Sequence, residues 1–223
     1  MSQQAEAQTA TLRRGNTVTD RINTTPVDDL SAVLGSVGDL VAAVRPDQWH
    51  APTPCPRWDV RDLVNHMVLG SRLFAGVVRC VAAVAPGDLD PRAGDALGDD
   101  PVAAYRGAAD DLLAAFGQPG VLDRVFEVPA GLVPGIAAIH LRAVEDLVHG
   151  WDLAQATGQR PPFPDDIVER QLEFTRAKLA DVPTERGPFA PPQPVPDQAA
   201  PLERLAALLG RQVDQRRRAR VEG

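Results

Sequence analysis

Glu145 and His149 stand four residues apart in the segment Leu141-Arg-Ala-Val-Glu-Asp-Leu-Val-His-Gly-Trp-Asp-Leu-Ala154, which otherwise follows an apolar helical pattern. Side chains at i and i+4 lie one above the other on a helix face, so both groups reach the same point. Burying a carboxylate and an imidazole without compensation is costly. Two compensations are open: a metal ion held between them, or a hydrogen-bonded polar network with no metal. They imply different proteins.

His66 bears on that choice. It lies on an apolar stripe formed by Leu63, Gly70, Leu73 and Val77. If its helix neighbours the one carrying Glu145 and His149, two imidazoles and one carboxylate converge, as in metal sites built inside helix bundles. That set suits a borderline divalent ion, zinc first. Three protein ligands leave one position open, which is the arrangement of a catalytic site. The competing reading of His66 is a core histidine satisfied by hydrogen bonds alone. His140 is about half a turn out of phase with His149, and His50 sits in a proline-rich link; neither joins the set. Asp152 could orient an imidazole, which is the favoured reading, become a fourth ligand or be solvated, and Asp62 marks a helix start. Trp58 and Trp151 are read as core packing rather than as pocket walls, and Cys55 as structural or incidental rather than as a reactive thiol.

The elements that must position these residues follow from periodicity and punctuation. Thr25-Pro26 opens a helix with Leu30, Val33, Leu34, Val37, Leu40, Val41 and Val44 at helical spacing. Asp59 caps a second helix, which stops near Pro86-Gly87. A third runs from Asp99-Asp100-Pro101 to Gly117, read as a glycine past the helix end. Pro134 opens a fourth that closes at Thr157-Gly158. A fifth covers Asp165 to Ala180, and Leu202 to Leu209 forms a short last helix. Val125 to Val128 reads as an extended piece too short for a sheet of its own, and Pro183 to Pro201 as an extended strap. The expectation is an all-α antiparallel four-helix bundle with additional C-terminal helices and a Pro-rich strap. Residues 1–24 would be a flexible tail, 25–182 the metal-binding bundle, and 183–223 the strap, short helix and basic tail.

Composition narrows the function classes. The chain has 223 residues, 44% of them hydrophobic and only 4% aromatic, so its core must be mostly Leu, Val and Ala. A net charge of −7 argues against nucleic acid as the main partner, and the basic run from Arg211 to Arg220 reads as a solvated tail. No secretory leader and no run approaching a membrane span is visible, and two cysteines make no disulfide framework, so a cytoplasmic setting is expected. Phosphate-binding glycine loops, Cys-x-x-Cys pairs and the serine-hydrolase elbow are absent.

Two motifs carry a resemblance. Thr53-Pro-Cys-Pro-Arg-Trp-Asp-Val-Arg-Asp-Leu-Val-Asn-His66, followed by Glu145-Asp-Leu-Val-His149-Gly-Trp-Asp-Leu-Ala154, resembles the N-terminal domain of mycothiol-dependent maleylpyruvate isomerases. That domain belongs to the DinB-like metal-binding helix bundles, and the single-domain actinobacterial subfamily is the nearest in kind. The resemblance covers residues 26–210. It implies that His66, Glu145 and His149 ligate a divalent metal. It further implies a low-molecular-weight thiol, mycothiol, as cosubstrate, with a metal lowering the thiol's pKa to give a nucleophilic thiolate. The isomerases carry a further C-terminal domain that contributes to their active site, whereas a short, proline-heavy stretch follows Gly158 here. The expectation is therefore a metal-dependent thiol transferase or isomerase acting on an unnamed electrophile, the alternative being a non-catalytic metal-binding or interaction module.

Overall fold

The computed structural model describes residues 24–85, 87–180 and 190–213, and within them the protein is mainly helical. The six helices are α1 (Pro26–Ala42), α2 (Val60–Val78), α3 (Pro101–Phe116), α4 (Gly135–Thr157), α5 (Asp165–Leu179) and α6 (Pro201–Leu208). Their starts are set by local chemistry. Thr25 and Asp28 form a reciprocal capping box on α1. Asp59 accepts from the Asp62 backbone N–H at the head of α2, and Asp100 from Ala103 N–H at the head of α3. Gly158 ends α4 in the left-handed conformation that favours glycine (φ 73°). Gly117 does not repeat this at the end of α3: its φ is −73°, so no left-handed cap is needed there.

Each of α1 and α2 packs on both α3 and α4, which closes the four longest helices around one core. That core is aliphatic: Leu30, Leu34, Leu63, Met67, Leu112 and Leu153 are essentially inaccessible. A second apolar cluster lies on the other side of α4, where Val144, Leu147 and Val148 meet Leu172 of α5 and Leu205 of α6. Helix α4 is thus covered on two sides, which explains why nearly all of its last fifteen positions are buried. Arg170 of α5 grips Asp29 in the first turn of α1 through two bonds of 2.8 and 2.7 Å.

The extended piece at Val125–Val128 finds a partner that the sequence did not advertise. It pairs antiparallel with Gly131–Pro134, Val125 opposite Pro134 and Val128 opposite Gly131. A tight turn at Pro129-Ala130 joins the two strands, with Gly131 at φ 99°. Alternation buries Phe126 and Val128 against the helices. The last residue of this hairpin leads directly into α4. The N-terminal part of the expected strap and the tail before residue 24 lie outside the described residues, as do residues 214–223, which include most of the basic run.

The junction between hairpin and helix is tight. A Cβ added at Gly135 would stand 2.3 Å from the Val121 carbonyl oxygen and 2.9 Å from the Leu122 Cα. Both are backbone atoms that cannot swing aside. Gly135→Ala is expected to destabilise the fold by about 1–3 kcal/mol despite the better helix propensity of alanine, read as a lowered Tm against wild type.

Candidate metal centre

The three expected ligands meet. Helix α2 brings His66 and α4 brings Glu145 and His149, all on faces turned towards a shared cavity. Glu145 Oε2 lies 3.3 Å from His149 Nε2 and 3.8 Å from His66 Nε2. Donors at about 2.1 Å around a tetrahedral ion stand ~3.4 Å apart, so the spacing fits a small divalent ion. The two imidazole rings are 5.0 Å apart and nearly perpendicular.

Each imidazole is fixed from behind. His66 Nδ1 sits 2.8 Å from the Leu89 carbonyl oxygen, and His149 Nδ1 sits 3.0 Å from Asp152 Oδ2. A carbonyl oxygen and a carboxylate can only accept, so Nδ1 carries the proton in both rings. In the neutral form of each ring Nε2 then keeps a lone pair, and both Nε2 atoms face Glu145. Metal-binding histidines are held in the same way, each donating its other nitrogen to an acceptor.

Electrostatics agree with a site built around positive charge. Burial raises the Glu145 carboxyl, but its hydrogen bonds to His149 and His66 outweigh this and hold its pKa well below the ordinary value. Burial lowers the His149 imidazole, yet contacts with Asp152, Cys55 and Glu145 push its pKa well above the ordinary value. Without a metal, the cluster favours a proton on His149 in its place.

Several residues depart from expectation. Trp58 does more than pack against the core: its ring lies tilted, 4.5 Å from the His66 ring, and lines the cavity. Trp151 is buried, as expected. Cys55 is no bystander, since it faces the cavity and donates its thiol proton to Asp152 Oδ2 at 3.3 Å. Asp152, fully buried, orients His149 as anticipated. Cys55, His149 and Asp152 also cluster closely enough to suggest a second ligand group. The Asp152 oxygens are already committed there to Arg211 as well as His149, and a guanidinium repels a cation.

Arg211 is the residue that sequence reasoning missed. It opens the basic run taken as a solvated tail, but its side chain is largely buried. Its Nη2 reaches Asp152 Oδ2 at 2.9 Å and its Nε reaches Oδ1 at 3.3 Å. Burial raises the Asp152 carboxyl, but its hydrogen bond with His149 and then the fixed Arg211 guanidinium hold it below the ordinary value. The remaining candidates lie elsewhere. His50 is exposed and pairs with Asp59, Asp62 takes part in the first turn of α2, and His140 faces Gln171 and stacks on Phe174.

The cavity beside the three ligands has a volume of about 820 Å³, enough for a small organic molecule. Trp58, Phe74 and Leu141 give it apolar walls, and Leu209 to Gln212 close one side. The segment after α6 is therefore part of the site.

Residues 30–154 match the family described as the mycothiol maleylpyruvate isomerase N-terminal domain. Two strains of Mycobacterium tuberculosis, CDC 1551 / Oshkosh and ATCC 25618 / H37Rv, each have a relative, an uncharacterized protein, 38% identical over 177 residues. That similarity covers 78% of this chain and 91% of the relative. The crystal structure of the mycothiol-dependent maleylpyruvate isomerase aligns with a TM-score of 0.56, and that of a histidine-to-alanine mutant with 0.58. Both are 13% identical, cover 76% of this chain and 74% of the other, and at that identity share the fold. The match spans more than half of the sequence and takes in His66, Glu145 and His149, so the chain belongs to the mycothiol maleylpyruvate isomerase N-terminal domain family.

Proposed function

We propose that this protein binds one divalent metal ion, zinc first, through His66, Glu145 and His149, and acts as a thiol-dependent transferase or isomerase. The observation that carries this reading is the paired orientation of the histidines. Leu89 and Asp152 each take an Nδ1 proton, which leaves two Nε2 lone pairs and one carboxylate oxygen around a single point. In the metal-free protein the same orientation lets a protonated His149 donate to Glu145, so one arrangement serves a proton or a metal ion in turn. A bound ion supplies Lewis acidity and lowers the pKa of a coordinated thiol or water.

The chain's own groups do the rest. Trp58 and Phe74 shield the site from bulk water, Asp152 sets the tautomer of His149, and Arg211 keeps Asp152 in place. A cavity of this size favours turnover over a purely structural metal site. The family relationship supports a low-molecular-weight thiol as one substrate, mycothiol first. The second substrate is an electrophile small enough to share the cavity. No helix among the described residues is long and apolar enough to cross a membrane, and the two free cysteines fit a reduced cytoplasmic setting.

Elemental analysis of the purified protein should give one equivalent of divalent metal per chain. His149→Ala should lose it while its helical circular dichroism persists; metal content unchanged in that variant would sink the site.

Removing the groups behind the ligands should weaken the site without abolishing it. Arg211→Ala or Asp152→Asn is expected to lower metal affinity about 10–100-fold in competition with a chelating dye.

Acidity should compete with the metal. Both imidazoles must be neutral to ligate, and the raised His149 pKa means that protons compete from above pH 6.5 downward. In the metal-free protein, protonated His149 stabilises the fold fully below the ordinary histidine pKa, and this is lost as pH rises through its raised folded value. Thermal melts of the two forms against pH should therefore diverge, with stabilisation by metal growing towards alkaline pH.

A further inference from the structure

Arg142 is spent on neither the fold's aliphatic core nor the three ligands. It lies on the cavity face of α4, one helical turn (about 5 Å along the axis) before Glu145. The residue is 2% exposed, so its charge is held almost wholly out of bulk water. A buried guanidinium is costly and needs partners. One is supplied: Nη2 donates to Asp146 Oδ2, and Tyr105 donates to the other oxygen of Asp146 at 3.1 Å. The remaining donors are not matched. Nε is buried without an acceptor, and among the described residues Asp146 is the only acceptor of this guanidinium.

The surroundings are shaped to keep the group there. Gly70 of α2 faces it, and a Cβ at that position would stand 2.4 Å from Nη1. The Phe74 ring lies 5.5 Å from the guanidinium carbon. Arg57, Arg142 and Arg211 line the cavity with Glu145 as the one carboxylate of its lining, while Asp146 and Asp152 answer Arg142 and Arg211 from behind. A divalent ion on the three ligands would add positive charge, and a low-dielectric cleft focuses such a field on an incoming anion.

We propose that Arg142 is an anion subsite that receives the carboxylate of a small-molecule substrate and sets the reacting end of that molecule beside His66, Glu145 and His149. The subsite itself needs no metal; the adjacent reaction rests on the metal reading above. The carboxylate is taken up by the spare donors of Arg142 while Asp146 remains paired, so the buried charge pair is not broken. A neutral ligand of the same shape gains no charge-assisted hydrogen bond.

The subsite can be read on metal-free protein. In protein labelled with isotopic nitrogen at arginine, the Arg142 Nε–H resonance, assigned by its loss in Arg142→Gln, should shift saturably with millimolar propionate and stay still with propionamide. No movement with propionate, or equal movement with both, overturns the proposal. On metal-loaded protein, mercaptoacetate and mercaptoethanol are titrated by calorimetry. Their affinity ratio should fall about tenfold or more from wild type to Arg142→Gln/Asp146→Asn, which swaps the ion pair for a neutral amide pair. An unchanged ratio in that folded variant also overturns it. Propionate and mercaptoethanol binding together would assign the carboxylate to the electrophile, and mutual exclusion to the thiol. Protein that takes up no metal but keeps the Arg142 response would fail the metal reading alone.

Discussion

Helix α4 must carry charge through the interior of a small helical protein. Glu145, Asp146, His149 and Asp152 follow one another along its inner face, and Asp146 and Asp152 are completely inaccessible. No aliphatic core tolerates such a row unless each group is answered. Asp146 is answered by Arg142 and Tyr105, Asp152 by His149 and Arg211, and Glu145 by two histidines. The partners come from α2, α3, α4 itself and the segment after α6. Much of the tertiary arrangement can be understood as what is required to bring these partners to one helix.

The fold was legible because it depends on local rules. Thr25, Asp59 and Asp100 cap helices with their own side chains, and the aliphatic spacing of α1 needs no distant information. The hairpin was half visible. Val125 to Val128 alternates, but Gly131 to Pro134 has one large apolar exposed position, Leu132, and no pattern that would mark it as a strand. Its pairing follows from the short turn and from Phe126 and Val128 packing below.

The candidate site was legible where motif and helical phase coincide. His66, Glu145, His149 and Asp152 lie on predictable faces of two helices, and their meeting requires only that α2 and α4 be neighbours. Arg211 and the Leu89 carbonyl were not legible. Arg211 opens an arginine-rich run that looks like tail, and a backbone carbonyl leaves no trace in residue identity. Trp58 is similar: an aromatic residue in a proline-rich link reads as packing until the link is seen to fold beside His66. In each case the missing information is a contact between segments far apart in the chain.

The placement of Arg211 has a consequence for biosynthesis. The chain emerges from its amino terminus, with His66 early, the whole of α4 in the middle and Arg211 near the end of the described residues. Until Arg211 arrives, Asp152 is a buried carboxylate with only His149 and the Cys55 thiol to neutralise it. Helices α1 to α4 can associate during synthesis, yet the centre stays electrostatically incomplete until the ribosome has delivered the carboxy-terminal segment. The segment after α6 thus completes the charge balance of a helix whose other partners all precede that segment in the chain, and a chain cut before Arg211 leaves Asp152 short of its guanidinium.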